Sequence, residues 1–315
     1  NVALTLSIPA IAVTVAFFVI WFGVPESTPQ PGRRLDTTGF VLLTIALLTV
    51  TSGLTFLRIN GPATWWVYAL MAAGLVLLYP FGRWVLKHPD PAIDLRVLRQ
   101  PSMWPVQLTA GLVGISILGA QAPLSTFAGT DPANGFGLGL DASERSYIIG
   151  AYLVAMIIGA LLFPLISRRT TPRIALIAAT ATVALGYLAF LVNNATVVGG
   201  TLNMVVAGIG SGALVAALPA AAAAAAPLGQ TGVATGLTNT TKTIGGAFAS
   251  AIFAVVLAMS AGQLVTETAS SLAGYLVVFA ICGGAAVVAA LALLVVPKLA
   301  FGDMPAEIVE PEPRG

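Results

Sequence analysis

Nine apolar runs of about 20 residues each limit what this chain can fold into. They lie at roughly 2–22, 38–57, 65–86, 104–127, 146–166, 174–192, 197–219, 233–258 and 272–296. In hydrocarbon every backbone N–H and C=O must be paired within the protein, so a spanning segment is a helix or a strand of a closed barrel. None of the runs shows the alternation of a barrel strand. The expected fold class is therefore an all-α polytopic membrane protein. Composition agrees: 57% of the residues are hydrophobic and 8% charged, whereas soluble domains carry about 25% charge.

The same composition removes several function classes. His88 is the single histidine, set in a charged loop between Lys87 and Pro89, so a Ser-His-Asp arrangement has nowhere to form. Cys282 is the single cysteine, which rules out an intrachain disulfide and a cysteine-based metal site. No catalytic residues, metal site or cofactor are expected, and the chain does not read as an enzyme. No Lys/Arg patch with interleaved aromatics points to nucleic acid. Gly208, Gly210 and Gly212 imitate a dinucleotide loop, but no strand precedes them, and inside a membrane run they read as helix packing. A channel would need a ring of selectivity groups, and no filter-like loop is evident.

Sidedness follows from the basic residues. Arg33, Arg34, Arg83, Lys87, Arg96, Arg99, Arg168, Arg169, Arg173, Lys242, Lys298 and Arg314 fall on one side, and Arg58 and Arg145 on the other. The crowded side is cytoplasmic by the positive-inside rule. That puts Asn1 outside and Gly315 inside. Trp65 and Trp66 stand at the interface as anchors. The loop from Gly129 to Arg145 is long and glycine-rich, with Asp141 or Ser143 as the expected N-cap of the following span. No Asp or Glu stands in the middle of a span; Asp141, Glu144 and Glu267 sit at outer ends. The tail after Pro297 is acidic and Pro-rich and is expected to be disordered.

The most informative stretch runs from Gly208 to Leu257. It reads as two apolar helices joined by a polar turn at residues 228–232. The first ends in an Ala tract bracketed by Pro219 and Pro227. The second opens with threonines around Asn239 and Lys242 and turns small and apolar from Ile244. Asn239 and Lys242, three apart, share a helix face. The threonine hydroxyls are placed to solvate the ammonium. Gly208, Gly212, Gly245 and Gly246 have the small-residue spacing that lets helices approach closely.

This stretch resembles the penultimate helix pair of the major facilitator superfamily, in its fourteen-helix drug:proton antiporter branch. The matching residues are Gly208, Gly210, Gly212, Pro219, Gly232, Ala234, Gly236, Asn239, Gly245 and Gly246, with Lys242 where the family usually has Arg. Pro91, Asp94, Leu95, Arg96, Leu98 and Arg99 resemble the family's linker before its last six helices. Asn1-Val2 resembles the start of its sixth helix, and Pro25-Glu26 followed by Arg34-Leu35-Asp36 the segment after it. Arg168, Arg169 and Arg173 stand in a degenerate copy of the cytoplasmic gating loop, without its Asp and glycines.

The resemblance implies a domain plan. Residues 1–25 would be the last helix of an N-terminal bundle. Residues 26–100 would hold two linker helices, 101–297 a six-helix C-terminal bundle, and 298–315 a cytoplasmic tail. The chain, opening without Met, then starts mid-protein. The implied activity is secondary active, proton-coupled efflux of amphipathic organic compounds by alternating access in a bacterial inner membrane. The implied partners are a small-molecule substrate, protons, the lipid bilayer and the N-terminal bundle. Candidate substrate-binding residues are Gln107, Gln121, Tyr152, Asn203, Asn239 and Lys242, each polar or amphipathic within an apolar run. A transporter-fold scaffold, or an exporter of lipids or metabolites, is the alternative. The topology has a direct check: in the full-length protein, Asn60→Cys should react with an impermeant thiol reagent from outside, and Thr170→Cys only after permeabilisation.

Overall fold

The computed structural model describes residues 2–23, 36–88, 91, 93, 95–101, 103–226, 231–260 and 270–295. The secondary structure of these residues is helical, with no strand among them. Nine long helices follow the expected runs: α1 Val2–Gly23, α2 Thr37–Asn60, α3 Trp65–Lys87, α4 Trp104–Gly129, α5 Ala142–Arg169, α6 Pro172–Ala189, α7 Val197–Ala225, α8 Thr231–Ser260 and α9 Leu272–Val295. The eight from α2 to α9 are long and apolar enough to cross a membrane, while α1 contributes the shorter apolar helix Val13–Gly23. Backbone contacts divide the chain into Asn1–Leu35 and Asp36–Gly315. The Pro25–Arg34 segment, most of the 228–232 turn, Asp94, Glu267 and the tail from 298 lie outside the described residues.

Polar caps set the helix starts. Asp36 Oδ1 accepts from the Gly39 N–H and from Trp84 Nε1, both at 2.8 Å, which starts α2 and ties it to the end of α3. Asp141, not Ser143, caps α5: Oδ1 accepts from the Ser143 and Glu144 N–H groups, and Glu144 returns a bond to the Asp141 N–H. This reciprocal box extends α5 one turn beyond the expected start. The Glu144 N–H, then the Ser143 hydroxyl, hold the Asp141 carboxyl below its ordinary 3.8. A depressed carboxyl stabilises the cap above that ordinary value, and the contribution is lost as pH falls through the folded value. Thr171 and Thr196 cap α6 and α7 in the same way, through Ile174 and Gly199. Gly135, Gly137 and Gly139 take positive φ in the loop before α5, as its glycine content leads one to expect.

The apolar run expected to end at 219 is outlasted by its helix: Pro219 lies inside α7, which ends at Ala225 in the Ala tract, as the sequence leads one to expect. Alanine is the strongest helix former, and the Ala tract carries the helix past the missing N–H.

Within residues 36–315, α4 packs on α8 and α9, α9 on α6, α6 on α7, and α7 on both α5 and α8. The α2–α3 hairpin joins this set where α2 meets α8. Glycines allow the closest approaches. On α7, Gly208 and Gly212 face α5, where a Cβ on Gly208 would stand 2.7 Å from the Tyr152 carbonyl and one on Gly212 would collide with that of Met156. Gly210 faces the other way, its Cβ 2.7 Å from Val183 N on α6. In the seam between α4 and α8, a Cβ on Gly245 would collide with the Gly111 carbonyl, and one on Gly246 with the Leu118 side chain. Near the 130–141 loop the core is aromatic: Phe190 stacks on Phe279 at 4.6 Å, and Phe127 meets Tyr275 edge-on at 5.4 Å.

These contacts separate glycines that matter from those that do not. Gly212→Ala should destabilise the full-length protein by about 1–3 kcal/mol, as overpacking does. Gly150→Ala, with nothing within 4 Å of the new methyl, should stay within about 0.5 kcal/mol of wild type. Thermal unfolding of the purified protein in detergent measures both.

Candidate functional site

Helix α4 is irregular where it crosses the middle of the bundle. Ile115–Gly119 form a π-helical segment, a register that shifts the i→i−4 ladder and leaves carbonyls in need of donors. One neighbouring helix supplies a donor, and α4 donates in turn to another. The Tyr187 hydroxyl on α6 donates to the Ser116 carbonyl at 2.6 Å, and Ser116 Oγ donates to the Cys282 carbonyl on α9 at 2.8 Å. Three helices are thereby linked through one buried serine. Neither Tyr187 nor Ser116 was among the sequence candidates; each is one of several polar groups in its apolar run, and nothing in the sequence singles it out.

Beside this segment a narrow cleft is lined by Gln121, Leu124, Ile149, Tyr152, Tyr187 and Met204, from four helices. It brings together two of the candidates, Gln121 and Tyr152. Gln121 is exposed. Tyr152 is only 4% exposed, and its hydroxyl has no hydrogen-bond partner among the described residues. Ser211 Oγ on α7 is likewise buried without a partner. Buried polar groups are normally satisfied. Of the two, Tyr152 lines the cleft, with the Ser211 and Tyr187 hydroxyls near enough to interact with it; its hydroxyl can bond a guest carrying hydroxyl, carbonyl or amide groups.

Gln107 and Thr238 lie in the seam between α4 and α8. Gln107 Nε2 donates to Thr238 Oγ1 at 2.9 Å, and Gln107 Oε1 is buried without a partner among the described residues. One turn further along α8, Lys242 Nζ donates to Asn239 Oδ1 at 3.1 Å. Asn239 is exposed and Lys242 half-buried. The surrounding threonines give their protons elsewhere: Thr238, Thr240 and Thr243 donate to the carbonyls of Ala234, Gly236 and Asn239. Asn239, rather than that set of hydroxyls, partners the ammonium. Asn203 is 5% exposed and donates to the Asn193 carbonyl at 2.7 Å, tying α7 to the turn after α6.

The three arginines of the loop between α5 and α6 separate. Arg168 and Arg169 are exposed in the last turn of α5. Arg173 reaches across to α9, where Nε donates to the Leu293 carbonyl at 3.0 Å and Nη2 to that of Leu294. A guanidinium on the last carbonyls of a helix is favoured by hydrogen bonding and by the helix dipole. Among the described residues no cluster of His, Cys, Asp or Glu could hold a metal ion. The described carboxylates, Asp36, Asp131, Asp141 and Glu144, all stand at helix ends or in the loop.

No known protein-family profile matches the chain. It is similar to the cephamycin export protein CmcT of Amycolatopsis lactamdurans, with 28% identity over 252 residues, 78% of this chain and 50% of that protein. It is also similar to the uridine/deoxyuridine transporter of Lactococcus lactis subsp. cremoris (strain MG1363), with 25% identity over 136 residues, 42% of this chain and 28% of that protein. The chain thus spans half or less of the length of these curated relatives. Its relatives are bacterial membrane transporters, and with eight spanning helices it is a multi-pass protein of a bacterial cell membrane.

The two tyrosines should behave oppositely. Tyr187→Phe strands the Ser116 carbonyl and should cost about 1–3 kcal/mol of stability. Tyr152→Phe removes a hydroxyl that bonds nothing in the described protein and should leave stability unchanged or slightly raised. Melting curves of the two variants, recorded side by side, check the contrast.

Proposed function

We propose that the chain is the C-terminal part of a major facilitator superfamily exporter of the fourteen-helix type, moving amphipathic organic compounds out of the cell. The observation that carries this reading is the similarity to an export protein over 78% of the chain. The geometry supports it: the Gln121–Tyr152 cleft and the Asn239–Lys242 pair place polar groups within a bundle of apolar helices. Polar and charged groups are costly in a membrane unless they face partners or a water-filled path. In this reading an N-terminal bundle of the same protein completes the substrate cavity. Transport proceeds by rocking one bundle against the other around a midplane site.

In the proposed site, Gln121 and Tyr152 offer hydrogen bonds to the polar end of the substrate. Lys242, steered by Asn239, supplies the one positive charge carried by α8. Gln107 and Asn203 hold the walls. Arg173 holds α6 to the end of α9 at the proposed cytoplasmic gate, and Arg168 and Arg169 face water beside it. Proton coupling needs a carboxylate, and the described ones stand at helix ends, so the proton carrier belongs to the N-terminal bundle. The similarity to a uridine/deoxyuridine transporter favours, as a second reading, a polar metabolite bound by the same uncharged groups.

Efflux by the full-length protein in vesicles tests the assignment. Lys242→Gln should lower efflux about tenfold or more, the loss that ~1.4 kcal/mol produces, whereas Lys242→Arg should retain it. Equal activity in both variants, with normal insertion, would leave Lys242 as an interfacial side chain only. A protonophore should abolish uphill efflux; persistence without the proton gradient would remove the antiporter reading.

A further inference from the structure

The α2–α3 hairpin carries a polar feature apart from the proposed transport site. At its basic end, Leu42 of α2 and Tyr79, Pro80, Arg83, Trp84, Lys87 and His88 of α3 and its cap line an open pocket of about 540 Å³. Pro80 removes one helical hydrogen bond from the wall of the pocket. Arg83 Nη1 donates to the Tyr79 hydroxyl at 3.1 Å, and its guanidinium stands 5.8 Å from that ring. Trp84 and His88 stack at 5.3 Å. The Lys87 ammonium and the His88 imidazole make no hydrogen bond or ion pair with any described residue. Among the described residues, Asp36 is an acid bonded to the lining: it is 4% exposed, and its carboxylate accepts from Trp84 Nε1 and the Gly39 N–H.

Depth in the membrane follows from the aromatic residues. Nineteen residues separate Trp65 from Trp84, about 28 Å of helix at ~1.5 Å per residue. This matches a hydrocarbon core of roughly 30 Å. Tryptophans favour the two interfaces, so with Trp65 at one surface Trp84 lies at the other. Arg83, Lys87 and His88 then stand at headgroup level. Arg96 adds a further cation there, donating to the Leu86 carbonyl.

We infer that this pocket holds the headgroup of an anionic phospholipid, its phosphate between Arg83 and Lys87 and its acyl chains along half-buried Leu42 and exposed Tyr79. Arg and Lys suit a phosphate as donors. Basic pockets between membrane helices bind acidic headgroups for this reason. Trp84 forms the floor and His88 the rim. The inference depends on the membrane span alone and not on what the protein transports.

The test is lipid retention by the purified full-length protein, titrated with phosphatidylglycerol or phosphatidylcholine and read by native mass spectrometry. Wild type should hold one phosphatidylglycerol more tightly than phosphatidylcholine. Arg83→Gln with Lys87→Gln should weaken that binding on the order of thirtyfold, at about fivefold per cation. Arg83→Lys with Lys87→Arg should keep it. Both side chains are exposed, so the neutral pair should fold normally; if it does not, Lys87→Gln alone should still weaken binding about fivefold. Equal affinity for the two lipids, or unchanged phosphatidylglycerol binding in the Gln variants, overturns the inference. So does displacement of the lipid by glycerol 3-phosphate, which would assign the pocket to a soluble phosphate.

Discussion

Close backbone approach is the interaction on which the rest of residues 36–315 depends. Lipid chains are as apolar as leucine, so burial against lipid gives helices little reason to associate, and packing must supply it. The glycines supply it by removing side chains where two backbones would otherwise be held apart. On α7 they divide between two partners: Gly208 and Gly212 admit α5, and Gly210 admits α6. One helix can therefore be the centre of a bundle because three small residues at alternate positions point to different neighbours. The α4–α8 seam uses the same device from both sides, with Gly111 and Gly114 against Gly245 and Gly246.

That tight frame makes the polar irregularities legible. The π-helical turn in α4 disturbs one backbone ladder, and the disturbance is met by Tyr187 from a helix the frame has brought close. Tyr152 and Ser211 sit in the same region without partners. A bundle that satisfies one tyrosine and leaves another open has separated two tasks that look identical in sequence. One hydroxyl holds the fold, and the other is the one that the proposed function assigns to the substrate.

Much of the fold was legible because a membrane leaves few choices. Helix positions followed from run length alone, with boundaries moved by a turn or less except where alanines carried α7 past Pro219. Local caps were legible to within two residues, Asp141 rather than Ser143, since only geometry tells which acceptor reaches which N–H. The pairing of Asn239 with Lys242 was visible from a spacing of three. What could not be read was anything joining distant segments. Nothing in the sequence says that Gln107 meets Thr238, that Asn203 meets Asn193, or that Arg173 meets the end of α9. Those contacts depend on which helices are neighbours, and hydropathy does not encode neighbours.

The Ala tract at the end of α7 has a mechanical meaning. Residues 220–225 are all alanine, with Ala222 buried and Ala220 and Ala224 exposed. A methyl group has no rotamers, and the ridges and grooves that lock one helix into another are shallow on such a surface. The glycine-bearing half of α7 grips its neighbours, while the alanine half is a smooth cylinder. In the proposed rocking motion a helix sliding along the exposed side of this tract would meet low friction, since no side chain there would have to leave one well for another. Grip at one end and slip at the other make α7 a bearing, fixed where the bundle must hold its shape and free where an opposing surface can glide.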